Sequence, residues 1–151
     1  MTTSARTAVP FRYCPACGQE ALTAADAKSV RCEACGFRYF HNCATAAGVV
    51  VRFEDEVLFI ERGHDPARGL LDVPGGFADY DESLEQAALR ETREETGIAL
   101  DGIRYLASFP NRYDYAGVLY HTCDVFFEAE LQSRPVAVAA DDAKAIVWRR
   151  P

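Results

Sequence analysis

The amino-acid sequence predicts an α+β fold, with one dominant mixed β-sheet and a single clear helix, preceded by a small Cys-rich ribbon. Three observations carry this expectation. Four of the six cysteines crowd into residues 14–35, the chain from residue 44 onward breaks into short runs rich in β-branched and apolar residues, and one helical segment lies between those runs. A chain of 151 residues holds one modest core plus a small appendage, not two full-sized domains. The expected organisation is an N-terminal tail and ribbon over residues 1–43 and one larger domain over residues 44–151.

The ribbon comes first. Cys14-Pro-Ala-Cys17 and Cys32-Glu-Ala-Cys35 are two C-x2-C pairs with fourteen residues between them, each followed by glycine, Gly18 and Gly36. Two residues between ligands let both sulfurs of one tight turn reach a single tetrahedral ion, so Cys14, Cys17, Cys32 and Cys35 are expected to hold zinc. A disulfide framework is the alternative. The polar, small N-terminus from Met1 to Pro10 has no apolar core that would read as a secretory signal. The chain is therefore expected to be cytoplasmic, where thiols stay reduced. Four thiolates leave no open coordination position, which makes this ion a folding staple and not a catalyst. Phe37, Tyr39 and Phe40 are read as ribbon core or a docking surface. Cys43 and Cys123 lack partners at ligand spacing and receive no role.

Strand-like runs follow at Ala47–Phe53 and Val57–Glu61, separated by the polar turn Glu54-Asp55-Glu56. Further strands are expected at Ile103–Phe109, Val118–Leu131 and Ala145–Trp148. The helix spans about Ser83 to Thr96, with Ser and acidic residues at its start and Gly97 as its stop. The longest nearly apolar stretch, Ala44–Val51, is far short of the roughly 20 residues a membrane span requires.

Charge narrows the function. The net charge is −7, divided as five Lys/Arg against three Asp/Glu in residues 1–43 and eleven against twenty in residues 44–151. A broad basic face for nucleic acid is disfavoured, because such affinity depends on Lys and Arg neutralising phosphates. If phosphates are the substrate of so acidic a body, a metal cation has to help.

The helix supplies candidate ligands. At about 100° per residue, Leu84, Ala87, Ala88, Glu91 and Glu95 share one face, with Glu94 at its edge. Carboxylates continuing an apolar stripe are carried toward the protein, where they cost several kcal/mol unless paired or metal-bound. A solvated acidic face with Arg90 and Arg93 as partners is the competing reading. Just before the helix, Leu71-Asp72-Val73-Pro74-Gly75-Gly76-Phe77 places a turn whose glycines let backbone groups approach a ligand closely.

Together, Gly76, Glu82, Arg90, Glu91, Thr92, Glu94, Glu95, Gly97 and Ile98 match G-x5-E-x7-R-E-U-x-E-E-x-G-U, where U is bulky and apolar. Only Thr92 is a soft match. Seven fixed letters recur by chance about once in 10⁸ start positions. The segment resembles the Nudix box, and with the strand order around it the resemblance extends over residues 44–151. It implies a Nudix fold, a mixed β-sheet within an α/β/α sandwich. A zinc ribbon directly before such a domain resembles the NADH diphosphatase group and its smaller relatives. The implied activity is hydrolysis of a nucleoside diphosphate linked to another moiety, with Mg²⁺ or Mn²⁺. The implied metal ligands are Glu91, Glu94, Glu95 and the Gly75 carbonyl, with Glu82 an outer or additional ligand. Arg90 would orient a glutamate, and Glu94 is a candidate general base.

Two departures from the pattern bear on specificity and completeness. Where NADH diphosphatases carry Ser-Gln-Pro-Trp, this chain reads Ser108-Phe109-Pro110-Asn111, and where relatives often place a glutamate three residues before a Trp, it has Ala145 before Trp148. The chain ends at Pro151, before the C-terminal helix that usually completes the fold. Phe109, Tyr113 and Tyr115 are candidates to stack a purine, which favours ADP-ribose or a related adenine dinucleotide over NADH. A non-catalytic nucleotide-sensing module and an NADH or RNA-cap diphosphatase are the alternatives. The expected partner is a nucleotide-diphosphate small molecule, with no membrane; a homodimer stays open.

Overall fold

The computed structural model describes residues 11–115 and 118–151; the first ten residues of the N-terminal tail lie outside that range. The chain divides into two compact units that meet between Asn42 and Cys43.

In the first unit, β1 (Leu22–Asp26), β2 (Ser29–Cys32) and β3 (Arg38–Phe40) form an antiparallel sheet in the order β1-β2-β3. So small a sheet has little to bury. Its interior consists of Val30, Ser29, Cys14 and Cys32; of the aromatics read as ribbon core or docking surface, Phe37 is half-buried, and Tyr39 and Phe40 are exposed and so are not core. Phe40 lies beneath the Arg38 guanidinium, whose carbon is 5.0 Å from the ring centroid. Four free cysteines, Cys14, Cys17, Cys32 and Cys35, belong to this unit.

In the second unit, β4 (Ala44–Phe53), β5 (Glu56–Arg62), β8 (Arg104–Tyr115), β9 (Val118–Glu130) and β10 (Ala143–Arg149) pair in the order β10-β5-β4-β9-β8. The short strands β6 (Leu71–Asp72) and β7 (Gly75–Phe77) pair with β5 and β4. The pairing of β4 with β9 is parallel and the others are antiparallel, so the sheet is mixed as expected. Glu56 belongs to β5 and not to the preceding turn. That turn contracts to Glu54-Asp55, with Glu54 at φ 54°. β8 runs past Pro110, which pairs with Cys123. Proline is tolerated there because β8 lies at the edge of the sheet, where a missing N–H breaks no second ladder.

Helix α1 (Leu84–Thr96) starts in a capping box: the Ser83 hydroxyl accepts from the Gln86 N–H, and the Gln86 side chain accepts from the Ser83 N–H. Gly97 ends it in the left-handed conformation at φ 71°. Ala87 and Ala88 are fully buried against Ala47, Val49, Val51, Leu58, Val125 and Phe127. Thr92 occupies the apolar box position without penalty, because its buried hydroxyl donates to the Ala88 carbonyl at 2.7 Å. Among the described residues α1 is the only helix, so the sheet carries a helical layer on one face where the expected sandwich has one on each. No described helix is long and apolar enough to cross a membrane.

Candidate active site

Register positions the site. β5 pairs with β4 only at Arg52↔Val57 and Phe53↔Glu56, and beyond that point β7 adds to β4 and β6 to β5. The sheet opens beside Gly75 and Gly76, and there the carboxylates of α1 reach a cavity of about 590 Å³. The Gly75 N–H donates to Glu95 Oε2 at 2.9 Å. A Cβ on Gly76 would overlap the Glu91 carboxylate, so glycine is what lets this side chain lie on the backbone.

Arg90 organises the mouth. Its Nε and Nη2 donate to the two Glu82 oxygens at 2.9 Å each, Nη1 donates to Glu91 at 2.8 Å and to Glu94 at 3.0 Å, and Nη2 also donates to the Phe77 carbonyl at 3.1 Å. Glu82 and Glu91 together push the Arg90 pKa above its ordinary value. Glu82 is held below the usual carboxylate range by Arg90 and then by the Asp79 N–H. Glu91 is shifted up by burial, which Arg90 partly offsets. Glu95 is only 4% exposed. Burial pushes its pKa up to about 7, with Glu91, Asp142 and Asp72 adding to the shift and the Gly75 N–H opposing it.

Of the residues singled out in the sequence, Gly75, Arg90, Glu91, Glu94, Glu95 and Tyr113 line the cavity. Glu82 lies behind Arg90 and reaches the cavity only through it. Phe109 and Tyr115 are not in the lining. Phe109 packs on Phe126 at 6.2 Å, and Tyr115 stacks on Tyr113 at 6.2 Å.

Sequence reasoning missed Arg62, His64, Asn111, Asp124, Asp141 and Asp142, all of which line the cavity. Asp141 and Asp142 precede β10, where Ala145 replaces the relatives' glutamate; an acidic pair just before the last strand was the available signal. Eight carboxylates face the cavity against two arginines and one histidine, so an anionic diphosphate could not enter without cations. Hard oxygen donors of this kind suit Mg²⁺ or Mn²⁺.

In the first unit the four cysteine sulfurs lie within 4.8 Å of one another, with Cys14–Cys35 and Cys17–Cys32 at 3.7 Å. A tetrahedral ion with Zn–S bonds of about 2.3 Å spaces its sulfurs about 3.8 Å apart. The turns match this geometry: the Gly18 and Gly36 N–H groups donate to the Cys14 and Cys32 carbonyls at 2.8 Å, with both glycines at positive φ.

Comparison with known proteins gives concordant results. The family description "NUDIX domain" matches residues 43–151. NAD-capped RNA hydrolase NudC of Haemophilus influenzae (strain PittGG) is 33% identical over 101 residues, 66% of this chain and 38% of that protein. NAD-capped RNA hydrolase NudC of Photorhabdus laumondii is 28% identical over 131 residues, 87% of this chain and 50% of that protein. This chain therefore spans half or less of the length of these curated relatives. The NUDIX domain of Shewanella oneidensis NrtR, solved with ADP ribose, superposes with a TM-score of 0.61 at 27% identity, covering 72% of this chain and 73% of that one.

Proposed function

The chain belongs to the Nudix family, and from that premise we propose that it hydrolyses the diphosphate bond of a nucleoside diphosphate linked to another moiety, with ADP-ribose or a related adenine dinucleotide as substrate. One observation carries this reading: Glu91, Glu94 and Glu95 converge from one helix on a cavity that also receives the Gly75-Gly76 backbone. A sensing module has no need to retain every box carboxylate.

Glu91, Glu94 and Glu95 would hold Mg²⁺ or Mn²⁺, with the Gly75 carbonyl as a further ligand. Such an ion, when bound, neutralises charge on the diphosphate and lowers the pKa of water. The chain's own residues do the rest. Arg90 fixes the rotamers of Glu91 and Glu94 and anchors them to Glu82, so the carboxylates are set before substrate arrives. Glu95 is locked by the Gly75 N–H. Glu94 is the most accessible of the set, with 46% of its side chain exposed against 15% for Glu91, which favours it as the group that takes the proton from attacking water. The same reading assigns residues 1–43 to a structural zinc ribbon and residues 44–151 to the hydrolase domain.

The curated relatives are named for NAD-capped RNA, which keeps an NADH or RNA-cap diphosphatase as the second reading. Against it stand the acidic body and the loss of Gln and Trp at Phe109 and Asn111. The deciding test is kcat/KM for NADH and ADP-ribose under identical metal conditions. ADP-ribose is expected to be preferred, and a preference of about tenfold or more for NADH would show that the altered segment does not set specificity.

A further inference from the structure

Away from the α1 carboxylates the cavity has a second chemical character, fixed by sheet register. Ala46 of β4 stands opposite Phe77 of β7 on one side and Asp124 of β9 on the other. Directly opposed residues share a face. With strands about 4.8 Å apart, Phe77 and Asp124 are separated by about 10 Å across a single methyl group. One step along β4, Gly48 stands between Gly75 and Phe126. Phe77, Tyr113 and Phe126 line the cavity around Ala46, and Tyr113 meets Phe77 edge-on at 5.6 Å.

Asp124 lines the same cavity and is held by two hydrogen bonds. Its Oδ1 accepts the Thr122 hydroxyl at 2.7 Å and its Oδ2 accepts Asn111 Nδ2 at 2.7 Å. The Asn111 carbonyl accepts the Arg112 N–H at 2.7 Å, which sets the orientation of that amide. A carboxylate offers about four lone-pair sites. Two neutral donors fill half of them, and no described cation pairs with Asp124. The second Asn111 amide hydrogen likewise has no acceptor among the described residues. An acceptor therefore stands beside a donor, next to aromatic walls.

We propose that this row is a nucleobase subsite in which the ring lies over Ala46 between Phe77 and Phe126, and Asp124 and Asn111 read the edge of adenine. Adenine presents an amino donor beside a ring-nitrogen acceptor, complementary to a carboxylate beside an amide N–H. Hypoxanthine puts a carbonyl where the amino group was and an N–H where the acceptor was, so both contacts invert. A site built on such pairs rejects the analogue that lacks them, because its polar groups are then left unpaired. The proposal rests on the hydrolase reading for its substrate but not for its binding geometry.

The test measures equilibrium binding of AMP, IMP and GMP to the full chain with Mn²⁺, and kcat/KM for ADP-ribose and its hypoxanthine counterpart. The expected result is a preference of about tenfold or more for the adenine form in both, collapsing to within about threefold in Asp124→Asn, which keeps the size and the Thr122 contact but removes the charge. The wild-type comparison decides the matter even if the variant fails to fold. Equal binding of AMP and IMP, or tighter binding of GMP, overturns the subsite. Discrimination between AMP and IMP without turnover of either diphosphate keeps the subsite and overturns the hydrolase reading, whereas equal turnover and equal binding do the reverse.

Discussion

Glu95 shows how one residue links sequence, stability and chemistry. Its place on the apolar stripe of α1 was legible in the sequence, and so was the conflict that placement creates: a carboxylate buried without a cationic partner. The structure resolves the conflict only in part, through one N–H from Gly75. With its pKa near 7 in the fold and about 4.3 in the unfolded chain, Glu95 binds a proton in the native state that the unfolded state lacks. This contribution to stability is fully present below about pH 4.3 and is lost as pH rises to about 7. Metal-free protein should therefore lose stability across that window. Glu95→Gln should flatten the loss and unfold at higher urea than wild type at pH 8, because the neutral amide still accepts from Gly75. Urea titrations of both proteins at pH 5 and pH 8 check this, and a variant less stable than wild type at pH 8 would contradict it.

At the scale of elements, α1 was readable from end to end because its signals are local: Ser83 at the cap, periodic apolar positions, Gly97 at the stop. The Ser83–Gln86 box satisfies two otherwise unpaired groups at the entry to the helix. Ser83→Ala should cost about 1 kcal/mol, and chemical denaturation with no change in the slope against denaturant would confirm that only the cap was lost. The strands were less legible. β8 was expected over Ile103–Phe109 but runs on through Pro110 to Tyr115, which its edge position allows. β6 and β7 are too short for alternation to register, and what defines them is pairing with β5 and β4, partners 10 to 31 residues away. The cavity wall suffers the same blindness: Asp124 and Asn111 meet across two strands, and although Asn111 stands in the altered Ser108–Asn111 segment, nothing local pairs it with Asp124.

For the whole molecule, the division between Asn42 and Cys43 separates two kinds of stability. The second unit has an apolar core; the first has little beyond Val30 and its cysteines. Freshly purified protein should hold about one zinc per chain. Cys32→Ser or chelation should raise amide hydrogen exchange in residues 11–42 while the core strands of the second unit stay protected, and protection unchanged in the first unit would count against a zinc staple. The cysteine cluster and the glutamate helix were legible because each is built from closely spaced residues, whereas the acidic excess of the cavity, with Asp141 and Asp142 at its rim, depends on strand order. That excess makes the central claim directly measurable. ADP-ribose is incubated with the protein with and without Mn²⁺, and the products are separated by chromatography. AMP and ribose 5-phosphate should form only with the cation, and Glu94→Gln and Glu95→Gln should each lower kcat by about 10²-fold or more while remaining folded. Turnover without a cation, or wild-type rates in both variants, would contradict the account.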